Sequence, residues 1–365
     1  MRAAILESPG SPLIIADDVE HEDPRPGEVL VRVTHCGICH SDVHVVDGVF
    51  PAMTPVCLGH EPAGVVEAVG SAVTSLVPGD KVVLTPRPTC GLCAYCVRGD
   101  VHLCAHASEL MMNAREDGTT PLSRNGQPVW MGLGLAAWAE YVVTKESGAI
   151  KVPDDTPLEV AAVLGCSVQT GTGAALYTAG VGPGATAMVL GLGGVGISAV
   201  QGARLAGASM IIGVDAVAER RDQSKRFGVT HAVDPAAGDV AAQVLELTDG
   251  IGVDFAFEAV GRAALVETCI NATTNGGTIT CMGVGGLDQN VSLPLTFFVL
   301  TSKRVQGCLL GSSNGRRDVP RYLDLWRNGR LDLEGMITAV RPLEEINDAI
   351  DDMRAGRGLR TVLEM

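Results

Sequence analysis

The sequence predicts an α/β protein of two domains, one β-rich and one built on a doubly wound parallel sheet. Three observations carry this. The run Gly191-Leu192-Gly193-Gly194-Val195-Gly196 lies between an apolar strand and a helix, as a dinucleotide-binding turn requires. Near residue 168 the rhythm changes from short strands separated by Gly- and Pro-marked turns to alternating strand and helix. The chain has 365 residues, 46% of them hydrophobic and 19% charged, enough for two separate cores.

In the first part, Val29, Val31 and Val33 alternate with polar residues as a half-buried strand does. Val65-Val66, Val82-Val83-Leu84 and Tyr141-Val142-Val143 read similarly. The stretch from residue 105 to residue 128 is polar and reads as an irregular surface loop. Pro157, capped by Thr156, reads as the first position of a helix running through Ala161 and Ala162, with Cys166 in its neighbourhood.

In the second part, Ala187–Leu190, Met210–Val214, Val253–Phe257 and Gly277–Met282 read as buried parallel strands, and Val195–Ala206 as the first crossover helix. Asp215 stands nineteen residues after Gly196, at the end of the second strand. The glycines allow a tight turn and close approach of a pyrophosphate to the helix N-terminus, and the acid can bind a ribose 2′-hydroxyl.

Cys90, Cys93, Cys96 and Cys104 fall within fifteen residues. Four thiolates at that density can close a tetrahedral zinc shell with no open position, which is a structural arrangement. Cys39, His60 and Cys166 are a second candidate set. Two cysteines and one histidine leave a fourth position for water or substrate, although spacing alone does not link three such distant segments. Cys36-Gly37-Ile38-Cys39-His40 also matches a haem-attachment motif, a reading that requires export. Cys36, Cys57, Cys269, Cys281 and Cys308 read as buried apolar filler, and His21, His35, His102, His106 and His231 as surface or packing residues.

The net charge of −15 argues against nucleic-acid or anionic-membrane partners. The N-terminal residues lack the pattern of a secretion signal, and no uninterrupted apolar run is long enough to span a bilayer, so a cytoplasmic location is expected.

These segments, in this order, resemble the zinc-containing alcohol dehydrogenases of the medium-chain dehydrogenase/reductase superfamily. The resemblance covers nearly the whole chain, from Glu28–Val33 to the terminal Gly358-Leu359-Arg360-Thr361-Val362-Leu363. It rests on Gly59-His60-Glu61, the four-cysteine lobe and the glycine turn together. Gly165-Cys166-Ser167-Val168-Gln169-Thr170-Gly171 is closer to the aryl and benzyl alcohol branch than to the liver type.

The resemblance implies a GroES-like catalytic domain of residues 1–167 and 310–365 and a Rossmann coenzyme domain of residues 168–309. It implies two zinc ions per subunit and NAD, with Cys39, His60 and Cys166 on the catalytic zinc and Cys90, Cys93, Cys96 and Cys104 on the structural one. Asp42 and Glu61 are implied as carboxylates behind the metal ligands, and Ser41 and His44 as a proton relay through the coenzyme ribose. Coenzyme contacts are implied for Gly191, Gly193, Gly194, Val195, Gly196, Asp215, Arg220, Val260, Thr170 and Arg360. His40 stands where liver-type members carry a pyrophosphate-binding arginine. Pro86 replaces an aromatic pocket residue, and Phe50 and Trp138 are expected to line the substrate pocket.

The expected reaction is reversible oxidation of aryl or medium-chain primary alcohols to aldehydes. A thiol-dependent formaldehyde dehydrogenase and a non-catalytic zinc- and coenzyme-binding protein are the alternatives. The first needs a cationic anchor, and Ala105-His106-Ala107-Ser108 offers no arginine. The resemblance further implies a homodimer or homotetramer, with Leu293–Leu300 as a candidate interface strand.

Overall fold

The computed structural model describes all 365 residues, which fall into two compact units: Met1–Cys166 with Asn314–Leu325 and Leu333–Met365, and Ser167–Ser313 with Trp326–Asp332.

The first unit is built on two sheets. The larger runs Ala149–Lys151, Lys81–Leu84, Glu61–Val69, Glu28–Gly37, Arg360–Glu364, Ile337–Pro342, with Tyr141–Lys145 also pairing with Glu28–Gly37. Its pairings are antiparallel except the last, between Ile337–Pro342 and Arg360–Glu364. Val29, Val31 and Val33 point into the core while Arg32 stays exposed, as the two-residue period of a strand dictates. The smaller sheet joins Ile14–Ala16, Ala3–Leu6, Val56–Cys57, Gln127–Met131, Leu122–Arg124 and Val19–His21. Together they form the GroES-like domain, whose core includes Ile5, Leu6, Ile38, Leu58, Leu84 and Trp138.

The second unit is a six-stranded, all-parallel sheet in the order His231–Val233, Met210–Val214, Thr186–Leu190, Val253–Glu258, Thr273–Cys281, Arg304–Gly307. Counted along this unit, the order is 3-2-1-4-5-6, that of a doubly wound Rossmann sheet. Met188, Ile212, Ala256 and Ile279 are buried within it, which is why these strands read as continuous apolar runs. The strand order reverses at Thr186–Leu190, the strand that feeds the glycine turn.

Several local expectations change. The segment from 105 to 128 is structured: it contains the helix Glu109–Met112 and the strand Leu122–Arg124, and it buries Ala107, Ala114 and Leu122. Its polarity misled because its charges are used internally. Arg115 is buried and donates to both oxygens of Glu28.

The helix expected from Pro157 starts at Leu158, with Pro157 itself in extended conformation at the cap and no bond from Thr156. The helical stretch Leu158–Thr178 is, by length and apolarity, long enough to cross a membrane, which the sequence reading did not anticipate; 83% of its most apolar window is buried inside the protein. Leu293–Leu300 is not a strand: Leu295–Thr301 is a helix starting after Pro294, where proline's fixed φ suits a helix start.

Candidate metal centres and coenzyme site

Strand register brings the first metal-ligand segments together. In the pairing of Glu28–Gly37 with Glu61–Val69, Gly37 lies opposite Glu61. Cys39 therefore leaves one strand end where His60 enters the next. Cys39 is also the cap of the helix His40–Val46, and its N–H donates to Asp42 Oδ2 at 3.4 Å. Asp42 Oδ1 accepts from the Gly59 N–H at 2.9 Å, and Oδ2 lies 2.9 Å from His60 Nδ1. One fully buried carboxylate thus ties both ligand segments. Cys166 comes from a π-helical turn, Leu164–Val168, a local widening of the helix frequent at functional sites.

Ligand atoms of Cys39, His60, Glu61 and Cys166 all lie within 4.8 Å of one another. The protonation chemistry fits a cation. A hydrogen bond from Cys166 holds the Cys39 thiol well below its ordinary value, and the neighbouring His60 adds to this against the effect of burial. Burial pushes His60 down, but the Asp42 carboxylate and Cys39 outweigh it and raise the imidazole to about 10. The proton held there occupies the place a metal takes, since ligation needs thiolate and neutral imidazole. The two sulfurs and one imidazole suit zinc with a position to spare.

Glu61, implied as a carboxylate behind the ligands, has an oxygen within 4.8 Å of their donor atoms and is paired with the guanidinium of Arg360. Arg360 itself is only 4% exposed. An arginine expected at the coenzyme pyrophosphate is thus engaged by a buried carboxylate of its own unit. The register of Arg360–Glu364 on Glu28–Gly37 explains this: Val362 pairs with Gly37, so Arg360 falls beside Glu61.

The second cluster closes on itself. Cys90 and Cys96 sulfurs are 4.0 Å apart, as are those of Cys93 and Cys104. That is about the edge of a tetrahedron with 2.3 Å zinc–sulfur bonds and twice a disulfide bond. Backbone N–H groups of Cys96 and Ala105 lower the Cys93 thiol to about 6, whereas burial raises Cys96 to about 12. All eleven cysteines are free. Cys36 is fully buried and its sulfur faces the Gly37 carbonyl, which leaves no room for a haem thioether.

Around the first cluster, Ser41 Oγ lies 3.8 Å from Cys39 Sγ. His44 stacks its ring 5.0 Å from Phe50 and 5.2 Å from His40, all in the first unit. Phe50 is partly buried. Trp138 is different: it is completely buried. Its indole fills the space above Gly59, whose φ of +91° and missing side chain allow the approach. Trp138 therefore braces the backbone next to His60.

In the second unit the glycine turn has the required shape. A side chain at Gly196 would strike the Gly191 carbonyl, so the helix Gly194–Leu205 starts hard against the turn. Val260 leaves the end of Val253–Glu258 and packs over Gly191. Thr170 is buried on the helix Gln169–Gly173, next to the Gly194–Leu205 helix. Asp215 Oδ2 accepts from the Leu192 N–H and Oδ1 from the Val217 N–H, each at 2.8 Å. Arg220 is partly exposed on the following helix, Ala218–Phe227. Sequence reasoning missed its neighbour Arg221, which donates to the Asp215 carbonyl at 2.7 Å, and Glu258, which is buried and accepts from the Val260 and Gly261 N–H groups. Neither belongs to a motif; each is recognisable only by where its strand ends.

Comparison with known proteins agrees with this geometry. Residues 25–154 match the alcohol dehydrogenase GroES-like domain and residues 194–328 the zinc-binding dehydrogenase domain. The chain is 38% identical to an NDMA-dependent alcohol dehydrogenase of Amycolatopsis methanolica, over 99% of this chain and 98% of that protein. It is also 38% identical to an S-(hydroxymethyl)glutathione dehydrogenase of Escherichia coli O139:H28, over 99% of both. The crystal structure of benzyl alcohol dehydrogenase from Acinetobacter calcoaceticus superposes with a TM-score of 0.94 at 31% identity, covering 100% of this chain and 99% of that one. Sequence and geometry agree that the chain is an oxidoreductase using zinc and a nicotinamide coenzyme, and that it belongs to the zinc-containing alcohol dehydrogenases of the medium-chain dehydrogenase/reductase superfamily.

Proposed function

We propose that the protein catalyses reversible, NAD-dependent oxidation of primary alcohols, aryl or medium-chain, to aldehydes. The observation that carries this is the convergence of Cys39, His60 and Cys166, three ligands of the type that leaves a zinc coordination position open. Likeness to a benzyl alcohol dehydrogenase supports the aryl preference, and the Asp215 carboxylate at the end of Met210–Val214 supports NAD over NADP.

Cys39, His60 and Cys166 would hold the catalytic zinc, and Cys90, Cys93, Cys96 and Cys104 the structural one. The chemistry supplied there would be a Lewis acid for the alcohol oxygen from zinc and a hydride acceptor from the nicotinamide. Asp42 orients His60 through its Nδ1 and keeps the ring in the ligating geometry. The Ser41 hydroxyl, beside the Cys39 sulfur, receives the alcohol proton. His44, half-buried against Phe50, passes it to solvent.

The likeness to an S-(hydroxymethyl)glutathione dehydrogenase supports a second reading, a thiol-adduct substrate. The arginines in and beside the cysteine lobe and its flanking segment are already engaged: Arg87 donates to the Cys104 carbonyl, Arg98 to Asp100, Arg115 to Glu28 and Glu22, and Arg124 to Asp18 and Glu7. That weighs against this reading. We further propose a cytoplasmic homo-oligomer. Eleven free cysteines support a reducing compartment, and the exposed apolar side chains Leu295, Val299 and Leu300 support a subunit contact.

The test is reduced-nicotinamide formation by the zinc-loaded protein with short, long and aromatic alcohols, and with a formaldehyde–glutathione mixture. Turnover of benzyl or medium-chain alcohols with NAD supports the proposal. Turnover confined to the thiol adduct selects the second reading, and silence on all substrates rejects both.

A further inference from the structure

Register places two aspartates at neighbouring strand ends of the coenzyme sheet. Val214 pairs with Val233 across the parallel strands Met210–Val214 and His231–Val233. The next residues, Asp215 and Asp234, therefore leave the sheet together at its carboxyl edge, the edge at which such sheets bind ligands. Asp215 is the acid that faces the ribose under the NAD reading proposed above. Asp234 belongs to no motif.

Between them sits Arg221, from the first turns of the helix Ala218–Phe227. Its Nη1 donates to the Asp215 and Ala216 carbonyls at 2.7 and 3.1 Å. Its Nη2 donates to Asp234 Oδ2 at 2.7 Å. The side chain is only 15% exposed. Asp234 is itself fixed, because its Oδ1 accepts from the Ala236 N–H at 2.9 Å. A guanidinium in this position is the group best suited to grip a 2′-phosphate, yet its free fork is spent on a carboxylate.

We propose that Asp234 is a positioning residue for coenzyme specificity: it holds Arg221 away from the ribose, so that NAD selectivity rests on Asp234 as well as on Asp215. The inference rests on the NAD reading of the site. On this view, removing the Asp215 charge alone leaves Arg221 neutralised and NADP poorly bound. Removing Asp234 as well frees Nη2 for a phosphate.

The experiment measures NADH and NADPH dissociation constants by titration of the full-length, zinc-loaded protein. The proteins are wild type, Asp215→Ser, Asp215→Ser with Asp234→Asn, and that pair with Arg221→Leu added. Adding Asp234→Asn should tighten NADPH by at least about tenfold over Asp215→Ser while NADH moves by less than about threefold, and adding Arg221→Leu should abolish the gain. Should Asp234→Asn not fold, Asp234→Ser keeps an acceptor for the Ala236 N–H and must give the same pattern. Equal NADPH affinity with and without the Asp234 change overturns the inference, as does a gain that survives loss of Arg221. If wild type binds NADH while either of these results is seen, only this inference fails. If wild type binds neither coenzyme, the coenzyme reading fails and takes this inference with it.

Discussion

His60 Nδ1 lies 2.9 Å from Asp42 Oδ2, and both side chains are sealed from solvent. The same carboxylate accepts from the backbone N–H groups of Cys39 and Gly59, so Asp42 fixes the separation of two zinc-ligand segments as well as the orientation of one ligand. Asp42→Ala should weaken zinc retention at this site by about 10- to 100-fold. Competition with a chelating dye measures it. Asp42→Asn, which keeps an acceptor for the Gly59 N–H, should cost less.

Proton competition follows from the same pair. Without metal, His60 stays protonated up to about 10, and zinc must displace that proton. Zinc affinity should therefore rise with pH through the neutral and alkaline range, with proton release on binding, as calorimetry in buffers of different ionisation heat would record. In the metal-free protein the shifts of His60 and Cys39 offset. Between the ordinary histidine value of 6.5 and the ordinary thiol value of 9.0 the proton kept by His60 balances the proton lost by Cys39, so their joint contribution to stability should stay level there and fall only from about 9 to about 10. Thermal melts of chelated protein across that window provide the check.

The Ser41 hydroxyl beside Cys39 should matter for turnover and not for assembly. Ser41→Ala should lower kcat by about 10²- to 10⁴-fold, with zinc content and NADH affinity unchanged. His44→Gln should lower kcat mainly at neutral pH and recover toward alkaline pH, where hydroxide can take the proton directly. Steady-state kinetics across pH distinguishes a relay from a packing role.

The four-cysteine lobe has little apolar core of its own, with only Ala107 buried beside Cys96 and Cys104. Its order should therefore depend on the metal. Cys104→Ser should remove about half of the bound zinc and lower the melting temperature. Metal analysis combined with calorimetry tests both effects in one preparation.

Trp138 is completely buried and packs against Gly59. Trp138→Ala should destabilise the protein by about 3–5 kcal/mol, measured by denaturant unfolding. The ranking of alcohols by kcat/KM should stay the same, which would not hold if the indole lined the pocket.

Residue type and spacing by themselves determined a good deal. Four cysteines within fifteen residues define a closed thiolate lobe, because short loops cannot place those sulfurs far apart. The glycine turn, with an apolar strand on each side and Asp215 at the correct remove, defines a nucleotide-binding Rossmann unit, since period and breakers are local properties of the chain. Other features depended on which strand ends meet. Gly37 opposite Glu61 brings Cys39 to His60 and Arg360 to Glu61, and Val214 opposite Val233 brings Asp215 next to Asp234. No spacing rule encodes those juxtapositions, because register is set by side-chain packing across sheets between residues far apart in sequence. For the same reason the 105–128 segment read as a loose loop: the partner of its Arg115, Glu28, is chosen by the tertiary fold.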